Sequence, residues 1–113
     1  MKYKYGEFTQ SQISYTKSSI RKSIFFLLLC VDPNTRKDYA DIDVNKTFEN
    51  LLHRIGGLND VLLYPPELVM IISLLKEAQK LYNSNVFDFS VYRKLILDAG
   101  SEVLKIKERE YDD

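Results

Sequence analysis

Hydrophobic residues in this chain recur at intervals of three and four in four separate stretches, each bounded by residues that start or stop helices. In the first, Ile13, Ile20, Ile24, Leu27, Leu28 and Val31 hold one helical phase. Thr9 precedes them as an N-cap, Gln12 completes a capping box three residues on, and Phe8 and Ile13 occupy the two positions of a hydrophobic staple. Asp32-Pro33-Asn34-Thr35 stops the stretch, because proline disfavours helix at the residue before it. The pattern predicts a helix over 10–31.

A polar connection follows. Asp43 then caps a stripe of Val44, Phe48, Leu51, Leu52 and Ile55, and Gly56-Gly57 is the expected stop, so a second helix is predicted over 43–55. Residues 58–65 read as a short apolar connection with room for one helical turn. Pro65-Pro66-Glu67 opens a third helix over 66–82, with proline at its first position and an acid at its positive end. Leu68, Val69, Ile71, Ile72, Leu74, Leu75, Ala78, Leu81 and Tyr82 cover more than one stripe, which predicts burial on two sides before Asn83-Ser84-Asn85 breaks the run. The last stretch starts with Asp88 or Ser90 as cap. Tyr92, Leu95, Ile96, Ala99, Val103 and Ile106 keep one phase through Gly100, so one helix over 89–110 is favoured over a break capped by Ser101; an interior glycine costs only about 1 kcal/mol.

Four helices joined by short connections predict an all-α fold, a four-helix bundle. Residues 9–113 form its single domain and residues 1–8 an N-terminal arm. In that arm Lys2-Tyr3-Lys4-Tyr5 alternates like a strand but is too short to stand alone.

Composition supports this picture. With 113 residues and 45% hydrophobic content the chain forms a real core without staples, and 28% charged residues with few Pro and Gly argue against disorder. The net charge is zero but unevenly spread: residues 1–37 carry seven basic side chains against Glu7 and Asp32, and the remainder is acidic. That asymmetry marks either a binding face or an internal complement between the first helix and the rest, and the second reading is favoured. Cys30 is the lone cysteine, so no internal disulfide forms and a reducing cytoplasm is expected. The apolar run Ile24 to Val31 has eight residues where a membrane span needs about 20, and neither a signal peptide nor a lipoprotein site fits it.

Chemistry finds little purchase. His53 is the sole histidine and lies beside the second stripe, which suits an exposed surface position; a nucleophile pair with Cys30 would require the fold to bring them together. Zinc lacks ligands. A calcium loop starting at Asp41 fails, because Lys46 stands where glycine is required and Leu52 where a bidentate Glu belongs. Gly56-Gly57 is no phosphate loop, since it follows a helix and lacks the Lys-Ser/Thr pair. The chain is therefore expected not to be an enzyme, with no cofactor and no metal.

Two surfaces remain. Lys17 and Arg21, one turn apart with Lys22 nearby, and the interleaved tyrosines Tyr3, Tyr5 and Tyr15 make a basic, aromatic side to the first helix. The segment Val61-Leu62-Leu63-Tyr64-Pro65-Pro66 offers apolar residues in a connection. Phe25, Phe26, Leu29, Val69, Leu74 and Leu81 also exceed what one stripe needs, which leaves a homodimer seam open beside a monomer. In length and inferred bundle the chain is similar to small bacteriocin immunity proteins, a similarity of architecture without a shared motif. The resemblance implies a bacterial protein acting through protein contacts, and the Lys, Ile and Asn usage suits an AT-rich bacterial, plasmid or phage gene. The expected function is thus a small intracellular interaction module, an inhibitor, immunity protein or modulator. Its candidate contacts are Tyr3, Tyr5, Lys17, Arg21, Leu63 and Tyr64, for a protein partner not identified by the sequence. The alternative is a nucleic-acid-binding regulator using the basic face of the first helix.

Overall fold

Four helices account for the hydrophobic pattern in the computed structural model, which describes residues 2–3, 6–7, 10–61 and 65–106. They are α1 (Gln10–Leu29), α2 (Val44–Val61), α3 (Pro66–Tyr82) and α4 (Phe89–Leu104), with a short 3₁₀ turn at Arg36–Tyr39 between α1 and α2. α3 and α4 pack most intimately, then α1 on α4 and α2 on α3, and α1 on α2 is the loosest of these four neighbouring pairs. Each helix therefore neighbours the next and α4 closes back on α1, the four-helix bundle that the periodicity predicts. At the start of the chain Lys2–Tyr3 and Gly6–Glu7 pair antiparallel as a two-residue rung, with Lys2 opposite Glu7.

The helix starts follow their caps. Asp43 Oδ1 accepts from the Lys46 amide at 3.1 Å, and Asp88 Oδ1 accepts from the Ser90 amide at 2.9 Å. Both satisfy amides that the first turn of a helix leaves unbonded. Pro66 opens α3 as its first residue, where the missing N–H costs nothing. The predicted cap at Thr9 and the staple residue Phe8 lie outside the described residues.

Two predicted boundaries are corrected. α2 does not stop at Gly56-Gly57 but continues to Val61, so the connection predicted over 58–65 shrinks to the residues after 61. The reason is burial beyond the glycines: Leu58 packs against the core, extending the stripe of Phe48, Leu51 and Ile55. Burying that extra turn outweighs two glycine penalties of about 1 kcal/mol each. Likewise α4 ends at Leu104 rather than 110. The Lys105 and Ile106 amides bond the carbonyls of Glu102 and Val103, three residues back, at 3.0 and 3.2 Å. Ile106 still reaches the core, so it keeps the apolar phase after the helix has ended. Residues 107–110 lie outside the described residues. A smaller difference closes α1 at Leu29 rather than 31, in a tightened turn.

That tightened turn leaves a carbonyl to be satisfied. In a continued helix the Val31 amide would bond Leu27; instead it bonds Leu28 at 3.2 Å. The phenol of Tyr92 on α4, wholly buried, donates to the Leu27 carbonyl at 2.8 Å. Phe48, Phe87 and Phe89 surround Tyr92 with ring centroids 5.7 to 6.3 Å away. Tyr92 thus anchors an aromatic cluster and caps α1.

α4 runs unbroken through Gly100, as its phase predicts, and this glycine has a packing role. A Cβ there would lie 2.8 Å from both Cε1 and Cζ of Phe25 on α1. The α1–α4 seam closes because the ring rests directly on the α4 backbone. On α3, Leu68, Ile71, Leu75 and Ala78 form the buried stripe with Ile72, Leu74 and Leu81 flanking it. Val69 and Met70 face outward, each 49% exposed, so the two-sided burial predicted for this helix holds only in part.

Candidate functional site

The loose pairing of α1 and α2 leaves a groove of about 320 Å³ between them. Lys22, Ser23 and Phe26 line it from α1, and Thr47, Asn50, Leu51 and Arg54 from α2. These positions fall at spacings of three and four on each helix, so each set forms one edge of the cleft. Leu51 is buried and Phe26 half-buried, forming an apolar floor; Phe26 is braced by Tyr39, edge-on at 5.4 Å between centroids.

The rim is polar and cationic. Arg54 reaches across to α1, where its Nη2 donates to Ser19 Oγ at 3.1 Å and its Nη1 to Ser23 Oγ at 3.3 Å. Ser23 in turn donates to the Ser19 carbonyl at 3.0 Å. Lys22 and Arg54 are both exposed, and among the described residues no carboxylate lies within ion-pair distance of either. The groove thus combines an apolar floor, two cations and the neutral side chains of Thr47 and Asn50. It has no nucleophile with an adjacent base. It can hold a ligand by contact and charge.

The residues named from sequence fare differently. Lys17 is half-buried, and its ammonium donates to the Ile106 carbonyl at 2.6 Å, at the end of α4. Arg21 lays its guanidinium over the Phe25 ring, 4.8 Å from the centroid, with its Nε buried and without an acceptor among the described residues. Lys17 thus reaches the end of α4, while Arg21 covers a ring of its own helix, the one that rests on Gly100 of α4. Tyr3 lies in the terminal rung, whose side chains are outside the described residues, as are Tyr5, Leu63 and Tyr64. Of the apolar surplus, Phe25, Phe26, Leu74 and Leu81 pack against the core, while Leu29 and Val69 retain exposed surface. Val86, 81% exposed, and half-exposed Val91 add apolar surface at the α3–α4 turn and the start of α4.

His53 is exposed on α2, while Cys30 is buried with its thiol pushed up by desolvation, the opposite of what an attacking thiolate needs. Among the described residues no group of three His, Cys, Asp or Glu side chains is placed to hold a metal ion. None of the described helices is long and apolar enough to cross a membrane.

Sequence reasoning missed the groove and also an amide clasp between α2 and α3. Asn45 and Asn83 exchange side-chain hydrogen bonds at 2.9 and 2.8 Å, and Gln79 Nε2 donates to Asn45 Oδ1 at 3.2 Å. Neither feature has a local signal, because each joins helices about 30 to 40 residues apart in the chain. In comparison with known proteins, no protein-family model, curated protein or solved structure matches the chain.

Proposed function

We propose that this chain is a small helical interaction module that works inside the cell by binding another macromolecule, and that the α1–α2 groove is its contact site. The observation that carries the reading is the groove's make-up, with Phe26 and Leu51 as floor and Lys22 and Arg54 on the rim, free of carboxylates among the described residues. Apolar floors with charged rims are how binding surfaces join contact area to selectivity. The intracellular part rests on Cys30, a buried free thiol suited to a reducing compartment. The nucleic-acid alternative loses ground because Lys17 is engaged at the Ile106 carbonyl and Arg21 lies over the Phe25 ring, leaving Lys22 as the cation of that stretch of α1 without a partner among the described residues.

Site-specific photocrosslinking tests this reading. A photoreactive residue at Asn50, in the groove, is compared with one at Ser73, exposed on α3, in the source cells. An adduct of one defined partner from Asn50 alone is expected. Equal labelling from both positions, or none from Asn50, overturns the reading. A product at twice the 13.2 kDa chain mass assigns the surface to a second copy of the chain.

A further inference from the structure

We infer that the groove accepts an acidic segment of a partner protein, one carrying an apolar side chain flanked by carboxylates; this rests on the interaction reading above and specifies its ligand. The chain has as many acidic as basic side chains, 16 of each, so a cation without a carboxylate neighbour is not forced by composition. Yet Lys22 and Arg54 both stand without one among the described residues, on opposite walls of the same cleft. Lys94 pairs with Asp98 at 2.9 Å and Lys105 with Glu102 at 2.8 Å, whereas Arg36, Lys37, Lys76 and Arg93, like Lys22 and Arg54, have no carboxylate within ion-pair distance among the described residues. What sets Lys22 and Arg54 apart is that they stand on either side of one apolar floor.

The setting of Arg54 sharpens the inference. Two serine hydroxyls orient its guanidinium across the groove while leaving its charge uncompensated. An incoming carboxylate replaces hydroxyl acceptors with an ionised one, so that donor and acceptor are then both charged and a bidentate pair becomes available to the fork. Because the fork is already positioned, less freedom is lost on binding than a mobile arginine would lose. Between the two cations the floor of Phe26 and Leu51 takes an aliphatic or aromatic side chain, and a cleft of about 320 Å³ holds one or two. Thr47 and Asn50 add hydrogen-bonding groups for the ligand's main chain. A cleft between two helices suits a helical or extended peptide. Phosphates would also satisfy the cations, but nucleic-acid sites draw affinity from many phosphate contacts, and this cleft supplies two cations in a chain of zero net charge.

The test selects a displayed library of random peptides, each about a dozen residues long, on the immobilised full-length protein. Arg54→Glu and Asn50→Trp variants serve as counter-selections, and fluorescence anisotropy measures the enriched peptides alongside a labelled oligothymidine. Lys22, Asn50 and Arg54 are exposed, and an unchanged thermal midpoint verifies that each variant is folded. The expected result is enrichment of acidic peptides with at least one large apolar residue, bound about tenfold more weakly by Arg54→Glu and by Lys22→Glu. Neutral or basic peptides that Asn50→Trp blocks but Arg54→Glu does not would overturn the acidic ligand and leave the groove as an interaction site. Absence of any groove-dependent peptide would overturn both. Oligothymidine binding that falls steeply with salt and disappears in Arg54→Glu would reassign the cations to phosphate.

Discussion

Replacing Gly100 with alanine isolates the packing of α1 on α4. Judged by helix propensity alone, the change stabilises by about 1 kcal/mol, since glycine is the poorer helix former. The structure argues the reverse. The new methyl would stand 2.8 Å from Cε1 and Cζ of Phe25, where carbon atoms ordinarily settle at about 3.5–4.0 Å, so the ring must retreat by about 0.7 Å or more. Arg21 covers the ring, and moving Phe25 disturbs that contact as well. Overpacking of this kind costs about 1–3 kcal/mol, giving a net destabilisation of about 0–2 kcal/mol. Phe25→Leu removes the two clashing atoms; the nearest atom shared in position, Cδ1, lies at an ordinary 3.8 Å. In that background Gly100→Ala should stabilise by about 1 kcal/mol, so the two substitutions couple by about 1–3 kcal/mol. Urea denaturation followed by circular dichroism on the four proteins measures the coupling. A gain of the same size in both backgrounds refutes the claim that the ring rests on the glycine.

Tyr92→Phe keeps the aromatic cluster but strips the Leu27 carbonyl of its donor, and should cost about 1–3 kcal/mol in urea denaturation near neutral pH. Burial, and secondarily the neighbouring Cys30 and Tyr82, raise the Tyr92 phenol well above its ordinary value of 10.0. A raised value in the folded state means that this contribution is intact below about pH 10 and is lost as pH climbs towards the folded value, so the gap between wild type and Tyr92→Phe should narrow in alkali. A gap that stays constant there contradicts the assignment. Gly56→Ala and Gly57→Ala, where a Cβ meets nothing within 4 Å, should each raise stability by up to about 1 kcal/mol in thermal melts; a loss would restore the helix stop suggested by the sequence. Asp88→Ala should lower stability by about 1 kcal/mol while Asp88→Asn largely retains it, since both acid and amide cap a helix.

Local signals located what local physics controls. Asp43, Pro66 and Asp88 marked helix starts because capping is a matter of adjacent residues, and Asn83 marked a stop for the same reason. The continuation of α2 past Gly56-Gly57 was hidden because the packing of Leu58 on the core, which drives it, is a tertiary quantity. The end of α4 was hidden because Ile106 keeps the helical phase while its carbonyl accepts from Lys17, 89 residues away. The same blindness affected the site. Spacing placed Lys17 and Arg21 together, but it carries no information about what each meets, which is the Ile106 carbonyl just after α4 for Lys17 and the Phe25 ring of α1 itself for Arg21. The groove needed Lys22 and Arg54 from two helices whose separation is set by packing, and no periodicity within one helix encodes it.

The bond from Tyr92 to Leu27 spans 65 residues and makes the first helix depend on the last. During synthesis or refolding, the final turn of α1 lacks its hydrogen-bond donor until α4 arrives, so a partly built bundle cannot yet hold that turn in its native form. Exchange of the amides at the end of α1 should therefore report on the docking of α4, and the molecule should lose its first and fourth helices together as one cooperative unit.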